Sequence, residues 1–159
     1  MVTEKMIEYF EGDVRRINHA LKVNSFAILI GRSAALDSQT MDVIHYAAIL
    51  HDIGIKESEK KYQSSAGPYQ EKEGPPVARR ILSEMNVPEA IIERVCFIVG
   101  HHHTYSKIDG VDFQILVEAD FLVNAYEDEM SREAVNSAVN KVFKTEAGKR
   151  LMQVMYQRT

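Results

Sequence analysis

Residues 46–54 read Tyr-Ala-Ala-Ile-Leu-His-Asp-Ile-Gly, so an apolar helical run leads directly into a histidine and an aspartate. Glycine is common where helices end, and we therefore predict that a buried helix ends near His51 and Asp52, before Gly54. Side chains at that point face a cleft, where a charged group must be paired or bound to a metal. The alternative interpretation is that His51 only caps the negative end of the helix.

Helical patterns continue on both sides of this stretch, and no segment shows the alternation of a β-strand. The predicted helices cover residues 3–11, 14–32 after a cap at Asp13, a third from Asp37 or Ser38 to His51, 75–85 with Pro75 and Pro76 in the first turn, 88–100, 112–127, and two final helices capped by Ser131 and Thr145. Residues 56–74 are polar and highly charged, which predicts a long loop that acts as a mobile lid. Together these patterns predict a compact all-α, multi-helix bundle.

The composition indicates one globular domain over residues 1–159, with 45% hydrophobic and 26% charged residues. A net charge of −4 without a basic stripe argues against duplex nucleic acid as a partner. No apolar run reaches the about 18 residues of a membrane span. The N-terminus also lacks the apolar core of a signal peptide, so we expect a cytoplasmic protein. The single cysteine, Cys96, lies in an apolar run and is interpreted as a core residue, while the oligomeric state stays open.

Three further places carry candidate metal ligands. His19 lies in a helix with an apolar face, His101, His102 and His103 follow Gly100, and Asp120 interrupts an apolar helix face. Each has an ordinary alternative: a core or surface histidine, a solvated histidine run, and a salt bridge for Asp120. The order His, His-Asp, His-His, Asp is nevertheless hard to obtain by accident. Nitrogen and oxygen ligands without a thiolate favour Mn, Fe, Co, Ni or Zn.

The acidic neighbour of Asp120 is expected to have a different role. Glu118 is two residues away, so it should point about 200° around the helix from Asp120. Asn124 lies one turn after Asp120 and shares its face.

This ordered set resembles the HD-domain superfamily of metal-dependent phosphohydrolases, over about residues 13–128. Residues 19–23, 47–54 and 118–122 are similar to the family's first-histidine helix, its signature and its last ligand helix. The resemblance implies an all-helical core in which one divalent metal is held by His19, His51, Asp52 and Asp120. It also implies hydrolysis of a phosphoester, in a nucleotide or another small phosphorylated metabolite, by a water that the metal activates.

The chain departs from the dinuclear branch of that superfamily, which carries another histidine between the His-Asp pair and the later histidines. No histidine occurs from residue 53 to residue 100, and Gln70, Glu71 or Glu73 occupies the region. A carboxylate could replace an imidazole at a hard-metal site. We therefore expect one tightly bound metal per chain. His101 and His102 match the later histidines and could bind a second ion or a phosphate, whereas His103 has no counterpart.

Catalysis also needs a cation for the phosphoryl oxygens and a group that moves a proton. Lys56 is a candidate cation, as is Arg15 or Arg16, and Glu73 or a non-ligand histidine such as His101 or His102 is a candidate for the proton. For each of these the alternative is a solvated surface charge. Two other functions stay open: a di-iron oxygenase of the same superfamily, and a non-catalytic module that binds a nucleotide. The missing histidine argues against the first and the intact ligand set against the second.

Overall fold

The computed structural model describes residues 1–157, and this part of the chain consists of helices and turns with no β-strand. The α-helices are α1 (Val2–Phe10), α2 (Val14–Ser33), α3 (Ser38–Leu50), α4 (Ile55–Tyr62), α5 (Gly67–Glu84), α6 (Glu89–Val99), α7 (Val111–Glu127), α8 (Arg132–Val142) and α9 (Glu146–Met152). A short 3-10 turn follows α6 at Tyr105–Lys107, and a π-helical turn follows α9 at Gln153–Gln157. The predicted all-α fold is confirmed.

Polar side chains begin several helices, as the sequence predicted. Asp13 accepts the Arg16 amide at the start of α2, and Asp37 accepts the Thr40 amide at the start of α3. The hydroxyls of the two predicted serine and threonine caps accept amide protons in the same way at the starts of α8 and α9. Each cap satisfies an amide that lacks an intrahelical partner.

The loop predicted over residues 56–74 is wrong, because the segment forms α4 and the first turns of α5. Both helices are amphipathic despite their charge: Ser58, Gln70 and Glu73 turn inward and are buried. A residue in the left-handed conformation, Gln63 with φ 53°, ends α4. Few residues of α4 are apolar, so polar side chains form its buried face. The hydrophobic pattern of the sequence assigns such side chains to solvent.

Helix α5 also begins earlier than predicted, so Pro75 and Pro76 lie inside it rather than in its first turn. Pro68 takes the early position that suits proline. An interior proline costs about 3 kcal/mol in an isolated helix, and here α5 packs against both α4 and α6. Packing of α5 against its neighbours therefore outweighs the local preference of proline for the first turn of a helix.

Helix α3 lies at the centre of the bundle and packs against α2, α6 and α7. Its last turn, residues 47–50, is at most 1% exposed. The chain then turns under α5, where a Cβ on Gly54 would lie 2.5 Å from the Gln70 carbonyl oxygen and 2.6 Å from the Gly74 nitrogen. This close approach of two backbones excludes a side chain at Gly54. It also brings α5 next to the turn that follows the His-Asp pair.

No helix within residues 1–157 is both long enough and apolar enough to cross a membrane.

Candidate metal centre

Three helices bring the predicted ligands together at one point. His19 of α2, His51 at the end of α3 and Asp120 of α7 each offer a ligand atom within 4.8 Å of the others. The Nε2 atom of His19 lies 3.1 Å from His51 Nε2 and 3.2 Å from Asp120 Oδ1. Asp52 Oδ2 lies 3.6 Å from His19 Nε2 and 3.5 Å from His51 Nε2. The four residues singled out from the sequence therefore form one cluster.

Backbone carbonyls orient two of the histidine rings. His51 donates its Nδ1–H to the Ala48 carbonyl at 2.9 Å, and His102 donates its Nδ1–H to the Val99 carbonyl at 2.8 Å. A carbonyl only accepts, so Nδ1 carries the proton of the neutral ring and Nε2 presents a lone pair. Both rings are almost fully buried. This tautomer leaves Nε2 free to bind a metal.

A second group of ligand atoms lies beside the first and consists of Asp52, His102 and His103, again within 4.8 Å of one another. His102 Nε2 is buried without a hydrogen-bond partner among residues 1–157, and it lies 3.4 Å from Asp52 Oδ1. Asp52 therefore faces the first group with Oδ2 and the second group with Oδ1. One carboxylate between two sets of imidazoles is an arrangement suited to bridging two cations.

The structure brings a different pair of the histidine run to the cluster from the pair that the sequence singled out. The sequence paired His101 with His102, but the structure places His103 beside His102 and turns His101 away. His101 donates its Nδ1–H to the Phe97 carbonyl at 2.7 Å, and its ring packs on the Phe97 ring with centroids 4.5 Å apart. Helix α6 ends at Val99, so the run folds as a turn and does not follow helical spacing.

Gln70, Glu71 and Glu73 lie in the region where the expected histidine is missing, and each has a different partner. Gln70 Oε1 lies 3.2 Å from His103 Nε2, so this amide borders the second group. The Glu71 carboxylate accepts the His103 amide and the Thr104 hydroxyl, both at 3.0 Å, and thereby fixes the turn. Glu73 is bonded to the Lys61 ammonium and accepts the Tyr62 hydroxyl at 2.9 Å. The structure thus does not bring Glu73 into the cluster.

The candidate cations also differ in whether they lie at the cluster or are bound elsewhere. The Lys56 ammonium donates to the Tyr9 carbonyl at 2.7 Å and lies 5.2 Å from the centroid of the Tyr9 ring, so it is bound to α1 and not to the cluster. Arg16 is held by Asp13 and by both oxygens of Glu59. Arg15 is exposed and lines the cleft beside the cluster.

That cleft has a volume of about 320 Å³. Its lining is mostly polar and includes two of the predicted ligands, and the residues are Asp13, Arg15, Arg16, His19, Asp52, Ile55, Ser65, Gln70, Asn124, Glu127 and Asp128. The cluster is therefore open to a small polar molecule from one side.

The electrostatics of the cluster favour a cation. Burial works to lower the pKa of His51, but the charges of Asp52 and Asp120 outweigh it and raise that pKa to about 9. Burial likewise works to raise the pKa of Asp52 and of Asp120, and the neighbouring histidines outweigh it and hold both well below the usual range. Without added protons, two lone-pair nitrogens 3.1 Å apart and two partly buried carboxylates favour a positive charge between them. The donor set fits a divalent transition metal.

Two polar residues of α7, Asn124 and Glu127, contact the ligand residues. Asn124 donates to Asp120 Oδ1 at 2.9 Å, as their shared helix face predicted. Glu127 accepts the His19 Nδ1–H at 2.8 Å and is bonded to the Lys22 ammonium. Burial works to raise the pKa of Glu127, but its bonds to Lys22 and His19 lower it. Sequence reasoning missed Glu127, although its position seven residues after Asp120 places it on the same face of α7.

The model of the HD domain family matches residues 16–139, which is well over half of the chain and includes both ligand groups. Comparison with curated proteins and with solved structures gave no match.

Proposed function

The chain belongs to the HD domain family, and from this premise we propose that it is a metal-dependent phosphohydrolase. HD domains are typically metal-dependent hydrolases that bind divalent metals. The observation that carries the proposal is the convergence of His19, His51, Asp52 and Asp120 from three helices on one buried point. The proposed substrate is a phosphoester of a nucleotide or of another small phosphorylated metabolite.

These four residues would hold the metal. When bound, a divalent metal supplies a Lewis acid and an activated water for attack on phosphorus. The protein contributes orientation: the His51 ring is fixed by Ala48, and Asp120 is fixed by Asn124. Burial contributes a low dielectric around the reacting groups, which strengthens every charge interaction there.

Arg15 is the cation that we propose for the substrate phosphate. Charge builds on the phosphoryl oxygens in the transition state and has to be met by positive groups. Arg15 lies four residues before His19, so both side chains share one face of α2 and line the same cleft. Arg16 already forms ion pairs with Asp13 and Glu59, and Lys56 is bound to Tyr9.

His102 and His103 are proposed either to bind a second ion or to contact the phosphate. The chain lacks the histidine that dinuclear relatives carry between residues 53 and 100, so one tight ion per chain stays our prediction. Asp52 faces both ligand groups, however, and this specific geometry keeps the di-iron oxygenase as a second candidate function. An iron assay with a visible absorption spectrum separates the two, because a mixed-valence or oxo-bridged iron pair absorbs in the visible range.

The proposal is tested with protein purified without chelator. Metal content after desalting, and turnover of p-nitrophenyl phosphate and a nucleotide panel with added Mn²⁺, are measured for the wild-type chain, His51→Ala and His45→Ala. His45 lies on the same helix but is bonded to Asn24 away from the ligand groups, so it is the matched control. We expect His51→Ala alone to lose metal and turnover. Equal metal retention in all three proteins would contradict the site.

A further inference from the structure

One metal-ligand candidate, His19, is oriented differently from His51 and His102. His51 and His102 donate their Nδ1–H to carbonyls of their own chain segment, three residues earlier. His19 instead donates its Nδ1–H to a carboxylate of another helix, Glu127 Oε2, at 2.8 Å. Because a carboxylate accepts more strongly than a carbonyl, this bond holds the proton on Nδ1 more firmly.

The partner carboxylate is itself fixed. Glu127 uses its second oxygen, Oε1, to bind the Lys22 ammonium, so its two oxygens face two residues of α2. The side chain of Glu127 is only 14% exposed, whereas that of Lys22 is 48% exposed. Lys22 lies three residues after His19, so its ammonium can lie over the same turn. Lys22, Glu127 and His19 thus form a series of contacts that runs from solvent to the candidate metal ligands.

Helix α7 therefore supplies two kinds of group to the cluster. Asp120 contributes an oxygen to the ligand group, and Glu127, two turns later on the same face, contributes the contact to His19. Both contacts depend on how α7 sits against α2. Packing of these two helices thus sets the position of Asp120 and the orientation of His19 together.

We propose that Glu127 is the positioning residue of His19, and that Lys22 holds the Glu127 carboxylate in place. Glu127 selects the ring tautomer whose Nε2 lone pair faces His51 and Asp120. It also makes that nitrogen a more basic ligand, as carboxylate–histidine pairs do at metal sites. Glu127 can act in this way only if the cluster holds a metal, as proposed above.

The experiment measures the affinity of the full chain for Zn²⁺ by competition with a chelator. Glu127→Ala is expected to weaken binding about 10–100-fold, the usual cost of losing such a partner. Lys22→Met should weaken it by less, because the carboxylate remains. Glu93→Gln, an exposed acid on α6, is the matched control and should bind as the wild-type chain does.

A second readout separates positioning from a purely structural role. Nitrogen-15 shifts of the His19 ring report which nitrogen carries the proton, and Glu127→Ala should change the Nδ1–H form of the wild type into a mixture of tautomers. Unchanged Zn²⁺ affinity with an unchanged His19 tautomer would overturn the role of Glu127 and leave the metal site intact. Failure of the wild-type chain itself to bind Zn²⁺ would instead overturn the proposed function.

Discussion

Two carboxylates stand two residues apart on α7 and meet opposite environments. Glu118 is fully buried, and its oxygens accept from the Gln114 amide group at 2.7 Å, the Lys144 amide at 2.6 Å, the Thr145 amide at 2.9 Å and the Thr145 hydroxyl. Asp120 faces the Nε2 atoms of His19 and His51. One carboxylate is surrounded by neutral donors and the other by ring nitrogens.

The difference shows how a buried acid can be assigned to structure or to chemistry. One donor to Glu118, the Gln114 amide group, lies on α7 itself, and the others come from Lys144 and Thr145 at the start of α9, where the helix dipole favours a negative charge. Glu118 is therefore satisfied by the fold and fastens α9 to α7. Within residues 1–157, Asn124 is the neutral side chain that donates to Asp120, and the His19 and His51 rings are bases that compete for protons. Such a site is suited to a cation.

The comparison is tested most strongly at Asp120. Asp120→Ala removes an oxygen ligand and an anion, so we expect complete loss of metal retention after desalting, together with loss of turnover. The helix content should be retained, because the Asp120 side chain is not needed to close any helix. Elemental analysis and far-ultraviolet circular dichroism measure the two properties. A variant that keeps its metal would remove Asp120 from the ligand set.

The counterpart is Glu118→Ala, for which the expected loss is in stability. Each buried donor left without an acceptor costs about 1–3 kcal/mol, so loss of this acceptor should lower the free energy of unfolding by about 3–5 kcal/mol. Urea unfolding of the metal-free chain measures it. The fraction that remains folded should still retain metal.

The exposed α8 residue Glu133→Gln is the control for this stability measurement. A small effect of Glu118→Ala, similar to that of the control, would mean that α9 is not fastened through this carboxylate.

The pH dependence of the free energy of unfolding should also distinguish the Asp120 cluster from the Glu118 site. The pKa of His51 is raised from 6.5 to about 9 in the folded metal-free chain, so the charged ring stabilises the fold fully below pH 6.5. That contribution is lost as the pH rises from 6.5 toward 9. We therefore expect the free energy of unfolding of the metal-free chain to fall across this window. The slope should be smaller in His51→Ala, where only the raised pKa of His19 still contributes to it.

Saturating metal should reverse the sign of that slope. Metal binding requires deprotonated histidine, so binding strengthens as the pH rises through the same window. Urea unfolding with and without Mn²⁺ at several pH values checks both directions. A slope that is unaffected by metal would place the titrating group outside the cluster.

The residues that the sequence singled out as ligands lie close together in the structure, whereas the helices packed around them were predicted less well. Residues 46–54 combine an apolar helix, two ligand types and a glycine stop, so several local signals agree on one outcome. Asp120 could be identified from the sequence for a similar reason, because it is an acid that interrupts the apolar face of a helix. Residues 56–74 carry no such agreement: their buried side chains are polar, and only packing of α4 and α5 over Gly54 turns them inward.

Glu127 and the histidine run show the second limit of sequence reasoning. The role of Glu127 depends on a contact to a residue 108 positions away, and no local pattern encodes that distance. For the histidine run, three identical residues offer no contrast between positions. Their assignment depends on where α6 ends, and helix ends are the least predictable boundaries. Tertiary geometry decides both cases.

The histidine run gives the smallest expected effect and the sharpest check on register. His102→Ala and His103→Ala each remove a nitrogen from the second ligand group, and we expect kcat/KM to fall at least about tenfold in both. His101→Ala removes only a bond to the Phe97 carbonyl and a ring contact, so it should cost about 1 kcal/mol in stability and leave kcat/KM almost unchanged.

A larger kinetic loss in His101→Ala than in His103→Ala would restore the register predicted from the sequence. It would also show that the turn after Val99 differs in the metal-bound protein, because only a rearranged turn could bring His101 into the cluster. Equal losses at all three positions would indicate that the run acts through folding of the turn and not through ligand atoms, and the second ligand group would then lose its support.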